Sequence, residues 1–241
     1  MLTLLKNARH KALDSAPSAG ALTNIYYSGT TYALWRVAHE PTRSLSRGLV
    51  LDAGSGRGAW KSTIEQGGAV RESVDIAPKA GETVTWIADL ADMPQVLSDR
   101  YDATICHQVL EHVPRPGAAI AELFRTLKPG GTLVISVPHL SRQHELPHDY
   151  FRFTPGGLRQ LLEEASFEVE MVEPIGGLLT FLHHQFSTVL LGLAAIARPL
   201  FLLAAAMNTP LSVLSDWLDR KMDRRGLLCT GVLAIARKPQ A

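Results

Sequence analysis

The sequence predicts an α/β protein built on a mostly parallel, doubly wound sheet. Three observations carry that expectation. From Gly48 to about Val172, short β-branched runs alternate with stretches of helical period. A glycine-rich turn joins the first strand to the first helix. Acidic residues recur at successive strand ends. The 241 residues suit one large domain, or one domain with an appendage.

The elements follow in order. Residues 48–53 read as a buried strand and 58–66 as a helix. Residues 70–75, 83–87 and 102–106 supply the second, third and fourth strands. The next helix has Pro116 near its start, and Ile120, Leu123, Phe124 and Leu127 give it an apolar face. Lys128-Pro129-Gly130-Gly131 should stop it. Residues 132–137 form a fifth strand, apolar at nearly every position, as expected when both sheet faces are covered. Thr154 is placed to cap another helix, with Pro155 at its first position and Leu158, Leu161, Leu162 and Ala165 along one face. Residues 167–172 form the sixth strand and 229–236 the last.

The long gap before that last strand is the unusual feature. From Gly177 to Met207 the only charge is Arg198. Leucines crowd the centre, and Pro199 should break or kink the segment. A third helix is expected from Thr209-Pro210, with Leu211, Leu214, Trp217, Leu218 and Met222 among Arg220, Lys221, Arg224 and Arg225. If strands six and seven share a sheet, the chain must leave and rejoin one domain, which excludes a single membrane crossing. Two readings remain. A helical hairpin broken at Arg198-Pro199 could lie against one leaflet, with the basic residues facing headgroups. Alternatively, the leucines could be buried in a lid or a homodimer contact. The expected organisation is an N-terminal helical segment, 1–47, and one domain, 48–241, carrying an apolar helical insert at 176–226.

Composition narrows the class. Charged residues make up 20% and hydrophobic residues 46%, so the chain is globular rather than disordered. A formal net charge of +1 gives no basic field for nucleic acid, which is not an expected partner. Cys106 and Cys229 are too few for a disulfide framework and read as small buried residues of a reducing compartment. Residues 1–16 lack the apolar core of a secretory signal. A cytoplasmic protein is expected, or one peripheral on the inner face of a membrane.

The chemistry gathers at one sheet edge. In Leu51-Asp52-Ala53-Gly54-Ser55-Gly56-Arg57-Gly58, glycines let a ligand approach the main chain, and a helix N-terminus offers unpaired N–H groups. A dinucleotide would also suit such a loop. Asp52 argues against a pyrophosphate and for a cationic or amino-bearing ligand, unless it is a buried structural acid. Asp75 ends the second strand, where its carboxylate can accept both hydroxyls of a ribose. Asp89, after the third strand, can accept an amino proton from adenine or simply serve a turn.

These residues resemble the class I S-adenosylmethionine-dependent methyltransferases, in the large branch acting mostly on small molecules. The DxGxGxG loop, Asp75, Ala88-Asp89-Leu90, the segment from Gln108 to Val113 (QVLEHV) and Leu127-Lys128-Pro129-Gly130-Gly131 carry the likeness. The resemblance implies a Rossmann-like seven-stranded sheet, order 3-2-1-4-5-7-6, with strand 7 antiparallel. It also implies S-adenosylmethionine as cofactor. Gly54, Gly56 and Gly58 would line its methionine part, with Ser55 in the same loop. Asp75 with Ile76 would take the ribose side, and Asp89 with Leu90 the adenine. His107 would border the methyl-transfer position.

A hydroxyl or amine acceptor must also lose a proton, a task suited to histidine. His139, His148 and then His107 are the candidate bases, because each falls at the active edge. Glu111 could simply cap a helix. Pro147 between His144 and His148 argues against a metal site, and none is expected. Tyr150, Phe151 and Phe153 fit either core or acceptor pocket, and Arg152 either an anionic acceptor or an internal carboxylate. The function expected is methyl transfer to a small or lipid-linked hydrophobic acceptor, at oxygen. The HDYFRFTP-like loop is similar to loops in methyltransferases of glycan and natural-product pathways. Other readings are N- or C-methylation of a quinone-like metabolite, a catalytically silent membrane-attached partner subunit, and a dehydrogenase using NAD.

Overall fold

Strands β1 (Leu49–Ala53), β2 (Val70–Asp75), β3 (Trp86–Ile87), β4 (Tyr101–His107), β5 (Leu127–Pro138), β6 (Glu168–Ile175) and β7 (Gly231–Arg237) form one sheet in the order β3-β2-β1-β4-β5-β7-β6. This is a computed structural model, and it describes residues 28–79, 83–223 and 225–240. The five strands β1 to β5 pair in parallel, and β7 runs antiparallel to β5. The order and the reversed seventh strand are those expected.

Burial explains the strand sequences. Four of the five residues of β1 are buried, as is every residue of β5 from Gly131 to Pro138. Helices α1 (Gly29–Leu45), α2 (Lys61–Gln66), α3 (Pro116–Thr126) and α4 (Pro155–Glu164) precede or connect these strands. Ala119, Ile120 and Leu123 turn the apolar side of α3 inward. The Thr154 hydroxyl accepts from the Gly157 N–H at 3.0 Å, capping α4 as its sequence indicated.

Besides shifts of a few residues at strand ends, including β3 at Trp86–Ile87 where 83–87 was expected, three boundaries differ from expectation. The α3 helix ends at Thr126, and Leu127 is already extended (φ −74°, ψ 142°), so Lys128-Pro129-Gly130-Gly131 belongs to β5. A register shift between Tyr101 and Ala103 absorbs the extra residues. Lys128 thereby reaches the Asp102 carboxylate at 2.6 Å. The first helix after the glycine loop begins at Lys61 rather than residue 58, because the loop continues in turns.

The third difference lies between β6 and β7. There the chain forms α5 (Leu178–Ala194) and α6 (Arg198–Met222). The hairpin turn precedes Arg198. Pro199 sits in the first turn of α6, where a missing N–H costs nothing. The separate helix expected from Thr209 is instead the second half of α6. Pro210 lies inside it, and the Thr209 hydroxyl donates back to the Ala205 carbonyl at 3.0 Å.

The chain divides into two compact units: Val37–Pro174 with Gly231–Ala241, and Met1–Arg36 with Ile175–Thr230. The division falls inside α1. Residues 1–27 of the expected N-terminal segment lie outside the described residues.

Within the helical unit, α5 and α6 pack an apolar cluster of Leu191, Ala194, Phe201, Ala204 and Ala205. The same unit also buries much polar material. Asp216 is fully buried and takes a two-point contact from Arg36 at 2.7 and 3.1 Å. The Asp219 carboxylate accepts the N–H groups of Leu179 and Thr180 at 2.9 and 2.7 Å, satisfying the first turn of α5.

Candidate functional site

Strand β1 delivers the glycine loop to the carboxyl edge of the sheet. The N–H groups of Gly54 and Ser55 both donate to the Val74 carbonyl, at 2.8 and 3.2 Å. The Gly58 N–H closes the turn onto the Ser55 carbonyl at 2.8 Å. Gly54 has φ +68°, and a Cβ there would stand 2.5 Å from both methyls of Val109. The loop is therefore seated against the segment that follows β4. Gly56 has φ +54°, but a Cβ there would meet nothing nearer than the Gly54 carbonyl at 4.0 Å. One side of the loop is fixed by packing and the other lies open. The Ser55 hydroxyl is buried and has no hydrogen-bond partner among the described residues.

Asp75 completes this cradle. One carboxylate oxygen accepts from the Gly56 N–H at 2.8 Å and the other from the Ala77 N–H at 3.3 Å. A carboxylate has about four acceptor positions, so both oxygens keep capacity for ligand hydroxyls. Ile76, beside it, is 70% exposed, an apolar side chain presented at the edge. The β2–β3 register pairs Asp75 with Ile87, which brings Asp89 to the same edge. One Asp89 oxygen accepts from the Ala91 N–H at 2.9 Å, forming a side-chain turn, and Leu90 is buried beneath it.

Asp52 has another partner. Arg71 of β2 donates to its carboxylate at 2.8 Å, and both side chains are buried. The sequence left Asp52 as a ligand group or a structural acid. The guanidinium favours the structural reading, because it already balances the charge a cationic ligand would meet.

His107 is also held inside the fold. Its Nε2 lies 2.9 Å from the Thr42 hydroxyl on α1, and its Nδ1 lies 2.9 Å from Ser136 on β5. The Trp60 ring centroid is 4.3 Å away. Burial pushes the His107 pKa down to about 3. With both nitrogens engaged and the ring neutral, it suits an anchor and not a proton acceptor. This arrangement weighs against the expectation of His107 as a base.

The loop 139–153 covers the end of β4. The N–H groups of Tyr150 and Phe151 both approach the Glu111 carbonyl, at 2.8 and 3.3 Å. Asp149 takes two contacts from Arg152, at 2.6 and 2.8 Å, and accepts the His144 N–H at 2.8 Å. The Arg152 guanidinium holds that carboxyl well below its ordinary range. Arg152 also donates to the Ser141 and Arg142 carbonyls, so its charge is used to brace the loop. Phe153 is core, while Tyr150 and Phe151 are exposed.

His139 and His148 differ in their surroundings. His139 is half-buried, and its Nδ1 is buried with no hydrogen-bond partner among the described residues. His148 is exposed, with Nδ1 3.0 Å from the Tyr150 hydroxyl.

Glu111 is the residue whose importance the sequence concealed. It caps no helix. Its side chain is fully buried, and neither carboxylate oxygen has a hydrogen bond among the described residues. One oxygen lies 3.7 Å from His112 Nε2 and 3.9 Å from His144 Nε2. Burial pushes its pKa up to about 8, and burial also lowers that of His144. Glu111, His112 and His144 bring one ligand-type atom each within 4.8 Å of one another. This trio differs from the His144 and His148 pair weighed for a metal on spacing. The fold brings His112 and His144 together across a loop, which spacing alone cannot reveal.

Comparison with known proteins fits this geometry. A family model described as a methyltransferase domain matches residues 32–173, more than half of the chain. A ubiquinone biosynthesis O-methyltransferase of Thiobacillus denitrificans is 27% identical over 150 residues, covering 50% of this chain and 65% of that protein. The chain thus spans less than two thirds of that curated relative. Among solved structures, the [4+2]-cyclase SpnF superposes with a TM-score of 0.59 at 18% identity, covering 88% of this chain and 82% of the other. An S-adenosylmethionine-dependent methyltransferase from Mesorhizobium loti gives 0.57 at 17%, covering 85% and 97%. At such identities the structures share the fold alone. A cyclase among them shows that this fold does not dictate one reaction.

Proposed function

The chain belongs to the class I S-adenosylmethionine-dependent methyltransferases, and from that premise we propose that it methylates a small or lipid-linked hydrophobic acceptor at oxygen. The observation that carries the proposal is the cradle of Asp75, Ser55 and Gly56. It combines an acid with spare acceptor capacity, a buried hydroxyl lacking a partner, and main chain with open space beside it. Those features fit the cofactor's ribose and amino-acid parts. In this reading Gly54, Gly56, Gly58 and Ser55 line the methionine side. Asp75 and Ile76 hold the ribose side, and Asp89 and Leu90 the adenine. Bound S-adenosylmethionine supplies an activated methyl group.

The remaining work falls to the chain. Much of the acceleration can come from holding the acceptor about 3 Å from the methyl carbon. The acceptor's hydroxyl must also lose its proton. His139, immediately after β5 at the carboxyl edge of the sheet, is the first candidate for that step. His148 is the second candidate. Such a base contributes on the order of 10²–10⁴ in rate. The likeness to a ubiquinone biosynthesis O-methyltransferase supports oxygen as the target and an apolar acceptor.

The test is calorimetry with S-adenosylhomocysteine and NAD, paired with a methylation assay. The assay incubates labelled S-adenosylmethionine with hydroxylated lipid and metabolite extracts. S-adenosylhomocysteine should bind, and Asp75→Ala should weaken it by about tenfold or more, equivalent to about 1.4 kcal/mol. Preferential binding of NAD would overturn the cofactor assignment. Cofactor binding with no labelled product from any extract would favour the silent partner subunit.

A further inference from the structure

The hairpin of α5 and α6 has its polarity reversed. Every exposed side chain of α5 is apolar: Leu178, Leu182, Phe186, Val189 and Leu193, spaced to form one stripe. On α6, Leu200, Leu203, Met207, Leu211 and Leu214 form a second exposed stripe. Beside the apolar cluster near the hairpin turn, the buried faces carry Thr180, Ser187, Asn208, Ser212, Ser215 and Asp216. A helix of a water-soluble protein shows the opposite arrangement, with its apolar stripe on the core. Helices surrounded by lipid turn polar groups toward one another and apolar groups outward.

From this inversion we infer that the hairpin is a membrane anchor embedded in a single leaflet, with a preference for anionic lipid. No helix among the described residues is long and apolar enough to cross a membrane. The chain enters α5 from β6 and leaves α6 toward β7, and those strands are neighbours in one sheet. Both ends of the hairpin therefore stay on one side of the bilayer; the 17 residues of α5 run about 25 Å against about 15 Å of hydrocarbon in one leaflet, so the hairpin lies strongly tilted, with the Ala195–Ala197 turn deepest.

Charge appears where this orientation requires it. The exposed face of α6 is apolar as far as Trp217, and the exposed cations Arg220, Lys221 and Arg225 follow at the end joined to the sheet. The Lys221 ammonium lies 5.9 Å from the Trp217 ring centroid. An amphipathic ring beside a long cationic side chain suits the level of the headgroups. Asp223 stands among these cations, accepting from the Leu228 N–H, and Arg220 meets Asp216 at 3.2 Å, but the rim stays net positive, which would repel a second copy of the chain and attract anionic headgroups. That complementarity selects lipid over a homodimer. The inference is independent of which acceptor is methylated.

Vesicle flotation of the full chain tests it, using phosphatidylcholine with and without phosphatidylglycerol. The protein should float with both and more strongly with phosphatidylglycerol. Phe186→Glu combined with Leu203→Glu should reduce flotation by about tenfold or more, with S-adenosylhomocysteine affinity unchanged. Lys221→Gln and Arg225→Gln should each weaken binding to the anionic vesicles about fivefold and leave neutral vesicles unaffected. Unaltered cofactor affinity in these variants separates failure of the anchor from failure of the methyltransferase reading. Brominated-lipid quenching of tryptophan fluorescence, diminished in Trp217→Phe, gives a readout that does not depend on the glutamate variants folding. Absence of both flotation and quenching would overturn the anchor. So would a lipid-free dimer in sedimentation that Phe186→Glu dissociates.

Discussion

The two units of this chain solve the same packing problem in opposite ways. In the sheet unit, β5 is buried from Gly131 onward and apolar there except at Thr132 and Ser136, and the charges lie mostly on the surface. In the helical unit, serines, threonines, an asparagine and two aspartates are buried while leucines stand outside. The first unit has the polarity expected of folding driven by loss of apolar surface to water. The second relies on hydrogen bonds and one buried ion pair within a thin apolar cluster. The contrast teaches that burial, rather than hydropathy summed along a segment, identifies the solvent a surface is made for.

The largest expected effect breaks the contrast directly. Ile135→Ala on β5 should cost about 3 kcal/mol in chemical denaturation, because a fully buried side chain leaves a cavity. Leu203→Ala, in the 59% exposed position on α6, should stay within about 0.5 kcal/mol in the same lipid-free buffer. Equal losses would mean that the stripe packs against protein. Next in size is Arg36→Met, which strands the buried Asp216 carboxylate. Loss of a buried partner costs about 3 kcal/mol. Arg220, at 3.2 Å from the same oxygen, should hold the cost toward 2. Thermal denaturation would show it, and no change in Tm would deny the polar interior a stabilising role.

The effect at Glu111 grows with pH and has no single size. Its folded pKa of about 8 lies above the ordinary glutamate value of 4.5. Between those pH values the folded state holds the proton that the unfolded state has released. Its contribution is full below about pH 4.5 and is lost as pH rises through about 8. Glu111→Gln should therefore gain stability relative to the parent as pH rises, by at most about 1.4 kcal/mol per pH unit. A difference in Tm that is flat from pH 5 to pH 8 would show that the carboxyl finds a partner in solution.

The strands and the glycine loop were legible because their signals are local: β-branched runs, turn glycines and an acid where each strand ends. The sheet order came from family likeness. What stayed hidden depends on groups far apart in the chain. Nothing near Asp52 announces Arg71, and nothing near Glu111 announces that His144 will approach it. The merger of two expected helices into α6 was hidden by Pro210, whose local signal favours a start over a continuation. One missed signal was present. Asn208, Ser212, Ser215, Asp216 and Asp219 recur at helical spacing and mark a polar seam. The leucines around it carry the stronger pattern.

The contact of His107 with Thr42 has a practical consequence for the minimal catalytic fragment. A truncated protein beginning at Gly48 would retain every strand, yet lose the hydroxyl that meets Nε2. That nitrogen would face its dry niche unaccompanied, and the imidazole beside Trp60 would be held by the Ser136 hydroxyl alone. Any shortened version meant to keep His107 anchored should begin upstream of Thr42.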